Sequence, residues 1–148
     1  MTVIFSLFRV LTQSWIWDKM PHTLSRRAVA CGGWRWLRGM LRQDDYRYIG
    51  SGMWARWSDV HSLTTALHAP DQLPDLTDSA TRGCLLTLVR EAWGNPHIWV
   101  ESCVDREMWS SIDHYKLGWA CPNGEPVPPD IECATEAEAL VAALEAAP

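Results

Sequence analysis

Two short stretches concentrate residue types that grip other molecules. "GGWRWLRGM", residues 32–40, sets Trp34 and Trp36 among Arg35 and Arg38, and "GMWARWS", residues 52–58, sets Trp54 and Trp57 around Arg56. Indole faces stack on unpaired nucleobases, at roughly 1–3 kcal/mol per base. Trp and Arg are also enriched at protein–protein hot spots, where rings fill pockets and guanidinium forks meet carboxylates. An internal reading competes with both. Side chains alternate across a strand, so Trp34 and Trp36 would share one face and Arg35 and Leu37 the other, with indoles in a core and arginines on its rim. Trp34, Arg35, Trp36, Arg38, Trp54, Arg56 and Trp57 are therefore the candidate partner-binding residues.

Covalent and metal chemistry find less support. His97, Cys103, His114, Cys121 and Cys133 gather in the C-terminal third, and two or three of them could meet across a hairpin, but their spacing matches no standard zinc motif. Cys84 lies one turn into a predicted helix, where the amino-terminal dipole could lower a thiol pKa. No histidine and acid pair completes a nucleophilic centre around it, and a small residue filling space is the favoured reading. Asp44, Asp45, Glu101 and Asp113 could form acid–base pairs, yet a turn and solvent-facing strand positions explain them. The chain carries no phosphate loop, G-x-S-x-G or dinucleotide fingerprint. No catalytic residue, cofactor or metal is assigned, and a non-enzymatic protein is expected.

The elements that must position these residues follow from periodicity. Val3, Ile4, Leu7, Phe8 and Leu11 fit one face of a short helix, and "HTLSRRAVACGG", residues 22–33, reads as a second, with Thr23 as cap, Leu24, Ala28 and Val29 inward, and Gly32 and Gly33 ending it. From Trp34 the period becomes two. A strand there, a turn at Asp44 and Asp45, a strand bearing Tyr46 and Tyr48 on one face, and a third at 52–58 form an antiparallel meander. Residues 59–76 read as a long connection with one helical turn. Over residues 78–93, Thr77 or Asp78 can cap a helix whose Leu85, Leu88, Val89, Ala92 and Trp93 face inward, stopped by Gly94 and Pro96. Gly83 inside it points to a close backbone approach. A strand at 97–104, a turn near Asp105 and a partner strand in "MWSSIDHY" and "LGWAC" make a hairpin. Residues 122–133 are too proline-rich for regular structure, and Thr135 with Glu138 forms a capping box for a helix at 135–146 with Ala137, Leu140, Val141 and Leu144 buried. The expected fold is α+β, a single-domain sandwich of a mostly antiparallel, tryptophan-rich sheet with helices packed on it, residues 32–148, preceded by a peripheral helical segment, residues 1–31.

Composition sets the outer bounds. A chain of 148 residues, 47% apolar and 21% charged, can bury one core without staples. Its net charge of −5 hides an imbalance: residues 1–69 hold nine Lys/Arg and four Asp/Glu, and residues 70–148 hold four and fourteen. Packing of the basic half on the acidic half is the favoured account of this asymmetry. A pI near 5.4 lacks the basicity typical of a nucleic-acid binder. Five cysteines, odd in number and without a C-x-x-C pair, point to a reducing cytoplasm. "MTVIFSLFRVL" is interrupted by Arg9, is far shorter than the roughly 20 apolar residues of a membrane span, and lacks the pattern of a signal peptide. "SRRAVAC" is followed by "GGWRWLRG" rather than an apolar run, so no exported form is expected.

"LPDLTDSATRGCLLTLVREAWGNP", residues 73–96, the tryptophan-bearing hairpin after it, "TEAEALVAALEAAP", residues 135–148, and the strand signal "GWRWLRGML" together resemble a family of small phage and prophage proteins of unknown function. The resemblance covers about two-thirds of the chain. It implies a phage-related origin and an α/β sandwich, and it brings no catalytic residues. Ser79 departs from the pattern by standing where a proline would be typical, and the first thirty residues depart from it as well. The expected function is that of a small accessory protein in the host cytoplasm that binds a host or phage protein and inhibits a host factor or a defence system, as an anti-CRISPR does. The alternative is a single-stranded nucleic-acid-binding protein using the Trp/Arg surface. No membrane partner is expected, and the sequence leaves the oligomeric state open.

Overall fold

The computed structural model describes residues 20–57, 63–67, 72–104 and 112–148. In chain order these form helix α1 (Met20–Ala30), strands β1 (Arg47–Gly50), β2 (Met53–Trp57) and β3 (Leu63–Leu67), helix α2 (Ser79–Ala92), strands β4 (Ile98–Val104), β5 (Ile112–Trp119) and β6 (Glu132–Cys133), and helix α3 (Glu136–Glu145). The fold is α+β, as the periodicities indicate, but the strands form two separate antiparallel sheets, β1-β2-β3 and β4-β5-β6, rather than one. The apolar stripe expected at Val3–Leu11 and the turn near Asp105 lie outside the described residues.

Helix ends follow local chemistry. Asp78 caps α2 by accepting the Thr81 amide at 2.8 Å, and Gly94 beyond its end takes a positive φ of 60°, which a residue without Cβ adopts at no steric cost. Thr135 and Glu138 form the reciprocal capping box of α3. The apolar stripes of both helices are buried against the second sheet: Leu85, Leu88, Val89 and Trp93 from the first, Ala137, Leu140, Val141 and Leu144 from the second, with Ile98 and Leu117 beneath. Fully burying a side chain of the Leu or Val class contributes about 1.5–3 kcal/mol, so this cluster is the main source of cohesion. The Trp93 Nε1–H donates to the Ala143 carbonyl at 2.9 Å, which allows an indole to sit between the two helices. Helix α1 joins the core through Ala28 and packs against α3.

Four local expectations are corrected. Helix α1 is already formed at Met20, so Thr23 stands inside it instead of capping it. Residues 34–37 form no strand; the segment is extended coil, bounded by Trp34 N–H to Cys31 O at 3.0 Å and Met40 N–H to Leu37 O at 3.1 Å. The expected alternation holds only in part: Trp34 and Trp36 pack on the core and Arg35 turns outward, but Leu37 packs on the core as well instead of sharing the face of Arg35. The third strand of the meander is β3, inside the stretch read as a connection, and it pairs with β2 from Met53↔Leu67 to Trp57↔Leu63. The close backbone approach is at Gly33 rather than Gly83. A Cβ on Gly33 would meet Leu144 Cδ1 at 3.3 Å and Ala92 Cβ at 3.6 Å, whereas one on Gly83 would meet nothing within 4 Å among the described residues.

Among the described residues, no helix packs against β1–β3. The first sheet is held through the coil before it and through Arg47, whose guanidinium donates to Gly39 O at 2.5 Å and to the Asp78 carboxylate at 3.2 and 3.3 Å. The basic and acidic halves do meet: Arg27 pairs with Glu145 at 2.6 Å, Arg35 with Glu91 at 2.5 Å, and Arg47 with Asp78. Desolvation pushes the Asp78 pKa up, but the bonds from Arg47 and Thr81 outweigh it and hold the carboxyl below its ordinary range. Arg27 lowers Glu145 in the same way.

A carboxylate depressed in the folded state contributes stability that is present above its unfolded pKa, about 4, and is lost as pH falls through the folded value. Urea melts should therefore show constant stability from neutrality to about pH 5 and a decline below pH 4 that is shallower in Asp78→Asn. Asp78→Ala, which removes cap and ion pair together, should cost about 0.5–2 kcal/mol more than Asp78→Asn at neutral pH. Equal losses in the two variants would mean that the cap contributes nothing.

Candidate functional site

The candidate residues around the first sheet are drawn into a stack of rings and guanidiniums. Tyr48 and Trp54 are cross-strand partners on β1 and β2, which places their side chains on one face of the sheet. Their ring centroids lie 5.0 Å apart. From the coil, Trp36 meets Trp54 edge-on at 4.5 Å and Trp34 meets Trp36 edge-on at 5.6 Å, both in the geometry that the aromatic quadrupole favours. On the other side, Arg42 lies over the Trp54 ring at 4.9 Å and over the Tyr46 ring at 5.0 Å, and Arg56 covers Tyr46 at 5.0 Å. The order from outside to inside is therefore Arg56, Tyr46, Arg42, Trp54, Trp36, Trp34. Trp34 and Trp36 then pack on the main core.

Arg42 is the unusual member. It is only 4% exposed, a rare state for a charged residue. Asp44 two residues on takes both Nε, at 2.8 Å, and Nη2, and the Arg42 bond holds the Asp44 carboxyl well below the usual range. The turn at Asp44 and Asp45, with Asp45 at a positive φ of 67°, brings the carboxylate back onto the guanidinium. Two electron-rich ring faces replace water around the rest of the cation. Arg42 belongs to the arginines that interleave with the tryptophans in the nucleic-acid reading of the sequence but not to the candidate partner-binding set, and Tyr46 and Tyr48 belong to neither; their alternation is the available signal.

Each candidate residue now has a place. Trp54 is fully enclosed, at 0% exposure, and Trp34 and Trp36 are half-buried. Trp57 belongs to β2 by its backbone, and its side chain lies outside the described ones. Arg35, Arg38 and Arg56 are exposed. Arg35 is tied to Glu91 on α2, whereas Arg38 and Arg56 meet no carboxylate among the described residues. Ile49 at 37% and Met53 at 45% are exposed apolar side chains at the β1–β2 turn, and alternation along β2 puts Met53 on the face opposite Trp54 and Arg56.

The other groups are placed apart from this stack. Cys103 and His114 face each other across β4 and β5, and His114 Nε2 lies 3.8 Å from Glu132. Among the described residues, no three His, Cys, Asp or Glu side chains converge as a metal site would require. Cys84 lies under the coil, 3.7 Å from Arg38 O; burial and Asp78 raise its pKa, opposite to the effect expected from the helix dipole. Glu101 accepts the Trp99 Nε1–H at 2.8 Å, and the Asp113 side chain lies outside the described ones. The Trp99 ring lies over Gly118, where a Cβ would come within 2.4 Å of it. No protein family matches the chain, and no curated protein or solved structure does either.

Arg42→Met keeps an unbranched apolar side chain and removes the guanidinium with its charge. Two desolvated cation–π contacts are worth about 2 kcal/mol or more together, so R42M should lose at least that much and much of the near-ultraviolet circular dichroism of the ring stack. Arg56→Met, at the exposed end, should lose less than about 1 kcal/mol. Equal costs for the two would show that burial of Arg42 adds nothing to its ring contacts.

Proposed function

We propose that this protein works without catalysis, by docking on another protein through the surface around its first sheet. The observation that carries this reading is the unequal use of arginine. Arg27, Arg35, Arg42, Arg47 and Arg82 each meet a carboxylate. Arg26 on α1, Arg38 and Arg56 are exposed and meet none among the described residues, and two of the three lie close to β1: Arg38 precedes Gly39, whose N–H donates to Tyr48 O at 2.9 Å, and Arg56 covers Tyr46. Arginine and methionine are enriched at protein interfaces, and Ile49 and Met53 are exposed apolar side chains at the β1–β2 turn, Met53 on the opposite face of β2 from Arg56. A surface of this kind fits a partner offering carboxylates around an apolar pocket. The indoles contribute by stiffening the surface from below, which reduces the ordering cost of binding.

The resemblance to small phage proteins suggests the setting. The partner would be a host factor or a component of a defence system in the host cytoplasm, blocked by occlusion in the manner of an anti-CRISPR.

A photo-crosslinking amino acid at Met53 in bacterial cells should trap one protein, identified by mass spectrometry. The double charge reversal R38E/R56E should reduce the crosslink at least tenfold, about 1.4 kcal/mol or more of binding, without lowering the melting temperature. An unchanged crosslink would overturn the reading. So would binding of a single-stranded oligonucleotide that falls steeply with salt and is lost in R38E/R56E, because that result would assign the surface to nucleic acid.

A further inference from the structure

β4 is an edge strand of the second sheet, with β5 on one side and no described strand on the other. In an antiparallel ladder, alternate residues aim both backbone groups at the partner or away from it. Ala120 donates its N–H to His97 O at 3.1 Å, so His97 faces β5, and Trp99, Glu101 and Cys103 face it by alternation. Ile98, Val100, Ser102 and Val104 therefore aim their backbone groups outward. The Arg90 Nε–H on α2 reaches the Ile98 carbonyl at 2.7 Å and closes that end of the edge. No described residue closes the edge at Val100, Ser102 or Val104.

Proteins usually blunt such an edge with Lys, Pro or a bulge. The segment "IWVESCV" contains no Lys or Pro. The one irregularity in the pairing leaves β4 continuous, because Cys103 and Val104 are successive while their partners jump from His114 to Ile112 on β5. Val104, at the open end, is the most exposed large apolar side chain among the described residues, at 51%.

We propose that β4 pairs antiparallel with β4 of a second copy about a two-fold axis at Ser102, joining two three-stranded sheets into one of six. The register is self-complementary. Each Ser102 exchanges its N–H and C=O with the partner's Ser102, and Val100 lies opposite the partner's Val104, twice by symmetry. The exposed Val104 gains an apolar neighbour, and cross-strand pairs of this type stabilise a sheet. Glu101 lies opposite the partner's Cys103, so no like charges meet. An axis at Glu101 is excluded because its backbone groups are engaged with β5. An axis at Val100 would draw the Ile98 carbonyl, already held by Arg90, into the ladder.

The full chain should shift from monomer to dimer in sedimentation velocity between about 10 µM and about 1 mM, the range in which small interfaces associate. Hydrogen exchange at the amides of Val100, Ser102 and Val104 should slow in step. Ser102→Pro removes an outward N–H that β5 does not use, and proline is tolerated at such edge positions, so S102P should keep the far-ultraviolet spectrum and remain monomeric. Val104→Lys blunts the edge without altering the backbone and should also remain monomeric, which keeps the test decisive if S102P fails to fold. A wild-type chain that stays monomeric throughout the range, or a dimer that persists in V104K, would overturn the proposal.

Discussion

The arrangement of the whole chain turns on one carboxylate with two tasks. Asp78 caps α2 through Thr81 and also receives Arg47 from β1. Capping restricts its rotamer, so Arg47 finds an acceptor already in position and loses less freedom in meeting it. Thr81 extends the junction: its hydroxyl donates to Asp78 and accepts the Leu41 N–H, both at 2.8 Å. Three segments are thus fixed at one point: the coil before the first sheet, β1 just after it, and the start of the best-packed helix, where Asp78 stands 31 residues after Arg47. This matters because the first sheet has no helix of its own to lean on among the described residues. The backbone bond from Tyr48 to Met40, itself part of the core, and the Trp36–Trp54 contact complete the link between the sheet and the core.

The charge asymmetry along the sequence has the same origin. Arg27, Arg35 and Arg47 come from the basic half, and Glu145, Glu91 and Asp78 from the acidic half. The first two pairs are solvent-exposed, and pairs of that kind contribute only about 0–1 kcal/mol each. Their role is better described as registration. Each connects a segment before residue 50 to a helix after residue 78, and a slip of either segment would leave charges of one sign crowded together. Three arginines of the basic half thus meet carboxylates of the acidic half.

What was legible in the sequence was the part governed by local rules. The spans of α2, β4 and α3, the capping box at Thr135, and the inward sets around Leu88 and Leu140 follow from periodicity and end signals, and they agree with the structure. The failures are at places where tertiary contact overrides the local pattern. Trp34 to Leu37 alternates like a strand, but Gly33 must sit against Leu144 and Ala92, and no described strand pairs with the segment. "LTTAL" carries no clear alternation, and its pairing with β2 makes it a strand. The candidate site was legible by composition but not by direction. The Trp and Arg residues do converge, yet only the structure reveals that Arg42, buried between Tyr46 and Trp54, orders the stack.

That ordering decides what the surface can offer. A ring whose face is taken by another ring or a guanidinium is unavailable to a partner, so the stack converts a tryptophan-rich segment into a stiff support for the arginines around it. Arg56 belongs to the first sheet and Arg38 to the coil before it, whereas the open backbone edge belongs to β4 of the second, and among the described residues the two sheets make no contact. A dimer joined through β4 would carry two arginine surfaces on one body. Engagement of the first by a partner with repeated sites would make the second contact intramolecular, and such coupling can raise overall avidity by roughly 10²–10⁴ without any new contact. A weak edge pairing and a modest arginine surface would then suffice together where neither would alone.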